Sequence, residues 1–165
     1  MREVTTETGV EVTDRPLIRA ATEADAEAIR ELVRAAELNP RDLNWRRFLV
    51  ADDGGTVVAC AQVREHGRGT RELASVAVTP ARQGAGIGRA IAEARIALEP
   101  TRPLYLYAEA HNLPFWEKFA FREIDGDDIP RDMRATVRLV RTFLRGYSAM
   151  TGRALRIVVM RRDDP

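Results

Sequence analysis

The sequence predicts an α/β fold: a central mixed, mostly antiparallel sheet of about seven strands with helices on both faces. Three observations predict it. A helical repeat comes early, three strand-like runs joined by tight-turn signals follow, and helix and strand then alternate to the end of the chain. The length of 165 residues, 45% of them hydrophobic and 31% charged, fits one domain with a full core. We read residues 1–15 as a flexible arm and residues 16–165 as that domain.

Leu17, Ile18 and Ala20 make a short first strand. Thr22 followed by Asp25 reads as a weaker capping box, opening a helix whose Ala28, Ile29, Leu32, Val33 and Ala36 share one face through Leu38. Asn39-Pro40 breaks it. Phe48 to Val50 begins a strand, Asp52-Asp53-Gly54-Gly55 turns the chain, and Val57 to Val63 returns. His66-Gly67-Arg68-Gly69 is a second turn, with His66 read as solvent-exposed, and Leu73, Ala74, Val76 and Val78 form the third strand of the meander. A helix runs from about Gly86 to Leu98, a strand from Leu104 to Tyr107, a short helix from Leu113 to Phe119 and a strand from Phe121 to Ile124. Met133, Val137, Val140 and Leu144 then recur at helical spacing beside a stripe of Arg131, Arg134, Arg138, Arg141 and Arg145. Gly152 marks a final turn, and Leu155, Ile157, Val158 and Val159 close with a strand.

Charge and cysteine content exclude several function classes. Twenty-six basic residues face 25 acidic ones, which argues against a nucleic-acid partner held by bulk attraction and leaves only local basic patches. Cys60 is the only cysteine, so neither an intrachain disulfide nor a multi-cysteine metal site can form, and no metal is expected. With a polar start and no apolar window of about 20 residues, the sequence reads as soluble and cytoplasmic.

One segment carries chemistry. From Ser75 to Gly88 the chain reads as a strand, a loop and a glycine-rich helix start. Gly84, Gly86 and Gly88 let backbone approach a bulky anion, and the first helical N–H groups have no intrahelical partner, so the segment is an anion seat. A Walker motif is excluded by the missing Gly-Lys-Ser/Thr, and the dinucleotide fingerprint by Arg89.

Gln83-x-x-Gly86-x-Gly88 directly after a Val-x-Val strand resembles motif A of the Gcn5-related N-acetyltransferase (GNAT) family. Phe115-Trp116-Glu117-Lys118-Phe119-Ala120-Phe121 resembles that family's Phe-Tyr-Glu-Lys-x-Gly-Phe signature, and the strand succession from Leu17 to Phe121 is similar. The resemblance implies the GNAT fold and transfer of acetyl from acetyl-CoA to a primary amine, on a small molecule or a protein, by direct attack in a ternary complex. It implies that main-chain groups of Val76, Ala77 and Val78 pair with the pantetheine arm between two splayed strands. It also implies that amides from Gln83, Gly84, Ala85, Gly86, Ile87 and Gly88 hold the pyrophosphate, with Asn112 near the cofactor or capping the next helix. Arg82 or Arg89 could reach the ribose phosphate.

Trp116 stands where family members often carry a tyrosine acid, and indole cannot replace it as a proton donor. Tyr107 is the candidate substitute, and Glu72, Glu109 and His111 are the candidates for the base. A weaker acyl-CoA-binding sensor or interaction module is the competing reading, and an exposed closing strand offers a route to a homodimer.

Overall fold

The computed structural model describes residues 15–151 and 155–164. Residues 1–14 of the expected arm and the turn expected at Gly152 lie outside them. Seven strands form one sheet in the order β1-β2-β3-β4-β5-β7-β6. They are β1 (Leu17–Ala20), β2 (Phe48–Asp53), β3 (Thr56–Glu65), β4 (Arg71–Val78), β5 (Leu104–Glu109), β6 (Arg122–Ile124) and β7 (Ile157–Arg162). The helices are α1 (Ala26–Ala35), α2 (Ile87–Ala97), α3 (Leu113–Glu117) and α4 (Arg131–Thr151). The predicted fold class holds.

Neighbouring strands pair antiparallel except β4 and β5, which run parallel. The helices cover both faces because each strand alternates its apolar side chains. Ile29, Leu32 and Val33 of α1 pack on Phe48, Val50, Cys60 and Ala77, and Met133 and Val137 of α4 pack on Tyr105, Ile124 and Val159. On the opposite face Ile87 and Ile91 of α2 meet Leu49, Ala51, Ala59 and Ala61, while Ala92 and Ile96 join Leu104, Leu106 and the α3 aromatics. The first face therefore has a seam between α1 and α4, above β3, β4 and β5.

Several boundaries differ from expectation for local reasons. The first helix stops at Ala35, before Leu38, because Glu37 takes φ +54° and Leu38 N–H donates to the Val33 carbonyl at 3.0 Å, a Schellman-type end. The closing strand begins at Ile157, and it lies between β5 and β6. An exposed closing strand as a dimerisation edge is thereby corrected: β7 is paired on both sides, and the sheet's edges are β1 and β6. Among the described residues no helix is long and apolar enough to cross a membrane.

The Thr22–Asp25 pair forms as the sequence suggests. Asp25 accepts from Thr22 N–H at 2.7 Å and from Thr22 Oγ1 at 2.9 Å, and Arg19 donates to both its oxygens and to Asp52. The Arg19 guanidinium is the main reason the Asp25 carboxyl titrates well below the usual range. Its folded pKa is depressed, so its contribution is complete above about pH 4 and is lost as pH falls through the folded value. Asp25→Asn should therefore lower neutral-pH stability by about 2 kcal/mol, with the gap to wild type closing in acid during urea titrations.

Candidate active site

β4 and β5 pair only at Arg71 with Leu104 and Glu72 with Tyr105, then separate. Past those pairs the β5-facing edge of β4 has no strand partner among the described residues, while β4 continues with β3 and β5 with β7. Ser75 sharpens the separation. It takes φ +54°, and two residues of β4 oppose one of β3 between Cys60 and Gln62, which is a β-bulge. Ala77 stands opposite Cys60, and Thr79 N–H donates to the Val58 carbonyl at 2.8 Å. By antiparallel alternation the main-chain groups of Ala77 are turned to β3, and those of Val76 and Val78 to the open side.

The chain then passes through a short 3-10 turn (Pro80–Arg82) into Gln83 and α2. Gln83 Nε2 donates to the Val78 carbonyl at 3.2 Å, tying the loop to the strand end. Gly84 and Gly86 take φ +80° and +79°, and a Cβ on either would meet nothing within 4 Å, so the space before the helix is open. Gly88 differs: its Cβ would lie 3.3 Å from Val78 Cγ2, a tight contact that glycine avoids where helix and strand approach. The first helical amide with a backbone partner is Ala90, which donates to the Gly86 carbonyl at 3.0 Å. Among the described residues Gly84, Gly86, Ile87, Gly88 and Arg89 find no protein acceptor for their N–H groups. Ala85 lies among them. These amides lie at the positive end of an 11-residue helix beside an unpaired strand edge, a backbone arrangement able to attract an anion. Arg82 pairs with Asp53 at 3.3 Å and Arg89 with Glu93 at 2.8 Å, flanking the seat.

Below the bulge, in the seam between α1 and α4, lies a polar cluster. Glu72, only 2% exposed, accepts from Arg64 Nη2 at 3.0 Å and lies 2.7 Å from His66 Nε2. His66 is thus drawn onto Glu72, with its side chain 20% exposed, which corrects its reading as a solvent-facing turn residue. Arg64 Nη1 also reaches the Arg41 carbonyl at 3.5 Å in the loop after α1. Closer to the bulge, fully buried Gln62 donates from Nε2 to Ser75 Oγ at 3.1 Å, and its Oε1 has no partner among the described residues. The register of the β3–β4 hairpin, which sets Arg64 opposite Glu72, was the signal that could have found this pair.

The other candidates divide. Tyr107 extends toward α4, its hydroxyl donating to the Met133 carbonyl at 3.4 Å, and burial followed by the nearby Glu72 charge pushes its phenol well up. A group so raised and so engaged is poorly suited to protonating a thiolate. Glu109 and His111 pair with each other at 3.2 Å with side chains 44% and 70% exposed, beyond the end of β5 and apart from Glu72. Asn112 precedes α3 and makes no capping hydrogen bond. Trp116 packs edge-on to Phe115 at 4.8 Å and Phe121 at 6.1 Å on the α2 face, so its indole supports the core. Burial raises the Cys60 thiol to about 12, and its Sγ donates to the Ser75 carbonyl, which keeps it from acting as a nucleophile.

Ala120, where the resembling signature carries glycine, takes φ +60°. Phe121 N–H reaches the Trp116 carbonyl at 3.4 Å across it, so the turn requires the left-handed conformation regardless of the side chain. Because Ala120 is exposed, glycine there removes strain without opening a cavity. Ala120→Gly should stabilise the protein by about 1 kcal/mol in urea titrations; an unchanged or lower midpoint would contradict this.

Residues 44–123 match the family model described as an acetyltransferase (GNAT) domain. No curated protein matches the chain. Among solved structures it is similar to Rv2747 from Mycobacterium tuberculosis, solved in complex with CoA, at 23% identity and TM-score 0.67, covering 91% of this chain and 100% of that one. It is similar to yncA from Salmonella typhimurium, described with its cofactor acetyl-CoA, at 21% identity and TM-score 0.64, with 91% and 95% covered. It also matches N-acetylglutamate synthase from Neisseria gonorrhoeae, complexed with coenzyme A and N-acetyl-glutamate, at 19% identity and TM-score 0.66 over 89% of this chain, which spans about a third (34%) of that protein. The family model is thus matched along the meander, the amide-lined loop and α3, so residues 44–123 carry a GNAT acetyltransferase domain, and the chain as a whole has the GNAT fold.

Proposed function

We propose that the protein transfers an acetyl group from acetyl-CoA to a primary amine by direct attack in a ternary complex. The observation that carries this reading is the row of unpartnered amides at Gly84 and Gly86–Arg89 beside the unpaired edge of β4. The residues fit the cosubstrate. The amides and helix dipole suit a pyrophosphate, and the Val76 and Val78 main-chain groups suit an amide-bearing arm lying as an added strand. Acetyl-CoA, when bound, supplies the activated acyl group. With it as substrate, the protein would act in the cytoplasm.

The chain's own residues then handle protons. A primary amine arrives as its ammonium ion and must lose one proton before its nitrogen can form the new C–N bond; the attacking nitrogen's second proton ends on the departing sulfur as the C–S bond breaks. One proton per turnover therefore leaves for solvent. Glu72 is the carboxylate in the seam that can take it, through water because the side chain is buried. Arg64 holds one of its oxygens, and His66, in contact with the other and reaching solvent, is the path out. The sulfur needs no acid of its own, since a thiol of pKa about 8.5 leaves readily near neutral pH.

Calorimetric titration with CoA tests the cofactor reading, and release of free thiol from acetyl-CoA across a panel of amines tests turnover. Trp116 in the core and the engaged Tyr107 hydroxyl favour one second reading, a CoA-binding sensor with little turnover. It predicts CoA binding with no thiol release for any amine.

A further inference from the structure

At the other end of β4 the fold builds a recess that the cofactor reading does not use. Its volume is about 420 Å³, and it lies between the β3–β4 turn, the loop entering β5 and the start of α4. Arg68, Arg102, Arg131 and Arg134 line it, against the carboxylates of Asp127 and Asp128. Arg134 pairs with Asp127 at 3.3 Å. Among the described residues Arg102 is held by the carbonyls of Glu99, Thr101, Ile96 and Asp164 and pairs with no carboxylate. Arg68 and Arg131 are exposed and have no carboxylate partner among the described residues.

Three guanidiniums thus face one recess without an ion-pair partner in a chain whose net charge is only +1. A second, independent feature points the same way. Tyr105 lines the recess while only 7% exposed, and its hydroxyl has no hydrogen-bond partner among the described residues. The ring is buried, but the hydroxyl itself is not sealed from solvent, so it is open to a ligand entering the recess. Burial also raises this phenol, so it stays protonated and able to donate. The recess further receives the first turn of the 21-residue α4, whose Met133 and Arg134 amides are the first to find a backbone acceptor, the Pro130 carbonyl. Asp132 does not compete for the arginines: its oxygens accept from Arg68 N–H at 3.0 Å and Thr70 Oγ1 at 2.9 Å, locking the turn to the helix.

We propose that this recess binds a small dianionic oxyanion, a phosphate or a dicarboxylate, through the Arg68 and Arg131 forks with the Tyr105 hydroxyl as a third donor. Paired guanidinium forks match the planar and tetrahedral oxygens of those groups, which an ammonium would not. The site is separate from the amide seat. The eight residues of β4 span ~26 Å between them at ~3.3 Å per residue. This proposal does not depend on the transferase reading.

The test titrates the full chain with inorganic phosphate and, separately, with succinate, at constant ionic strength set by sodium chloride, following the melting temperature and the heat of binding. Saturable binding by either anion, with Kd near ~1 mM, supports the site, and the stronger arm identifies the anion class. Arg68→Ser/Arg131→Ser should weaken it at least about tenfold. Tyr105→Phe should weaken it by about threefold to tenfold. Gly86→Glu, which alters the distant amide seat, should leave phosphate binding intact, and the double serine variant should keep its CoA affinity. Binding that survives in the double variant, is lost in Gly86→Glu, or never saturates would overturn the proposal. Both arginines are exposed, so the double variant should fold, and Tyr105→Phe gives an independent reading.

Discussion

Gly86→Glu should lower CoA affinity at least about 100-fold, because it places a carboxylate among the amides we propose to hold the diphosphate. Two effects add. Gly86 takes φ +79°, a conformation that costs an ordinary residue about 1 to 2 kcal/mol, and the new charge competes for the same N–H groups. Gly54→Glu is the matched control: φ is +60°, the space is open, and the position lies in the β2–β3 turn. Both variants should lose similar stability in urea, while only Gly86→Glu loses CoA in calorimetry. Equal CoA affinity in the two variants would contradict the assignment of the seat.

Glu72→Gln should lower kcat about 100-fold with an active amine, leaving the KM for acetyl-CoA unchanged. The substitution keeps the shape of the side chain and an oxygen for Arg64, but removes the negative charge that Arg64 and His66 face. It should also reduce stability by about 1 to 3 kcal/mol, since Arg64 then loses its charged partner in a half-buried position. His66→Gln separates positioning from proton transfer. It should slow turnover by about tenfold, and imidazole added to the buffer should restore much of the loss, because a small base can carry the proton the side chain carried. A purely structural role for His66 would give no rescue. Retained turnover in Glu72→Gln would move the base elsewhere, with the Glu109–His111 pair the next group to examine.

The open loop with its unpartnered amides was legible in the sequence because glycine spacing and a strand-to-helix transition act locally: Gly84 and Gly86 take left-handed backbone, a requirement decided within a few residues. The meander was legible for the same reason, through the turn residues at Asp52–Gly55 and His66–Gly69. Long-range placement was less so. That β7 inserts between β5 and β6 depends on which edges the sheet leaves open after β6, and strand propensity carries no such information. Glu72 and His66 are six residues apart, yet their contact depends on the hairpin register and on α4 covering that side of the seam. The arginine stripe resolved into several fates. Arg134 and Arg141 pair with Asp127 and Asp125, Arg131 enters the recess, Arg138 is exposed, and the Arg145 side chain lies outside what is described. Ala120 shows the limit from the other side, since the backbone keeps a glycine conformation that the residue itself disfavours.

The claim on which the account rests is that amides at the mouth of α2 receive the cofactor's diphosphate. Amide chemical-shift mapping of the ¹⁵N-labelled protein during CoA titration tests it residue by residue. The account predicts that the largest changes fall on Gly84, Gly86, Ile87, Gly88 and Arg89, with smaller ones at Val76 and Val78. Saturable CoA binding that leaves those amides unmoved, or moves residues at another surface instead, would contradict it.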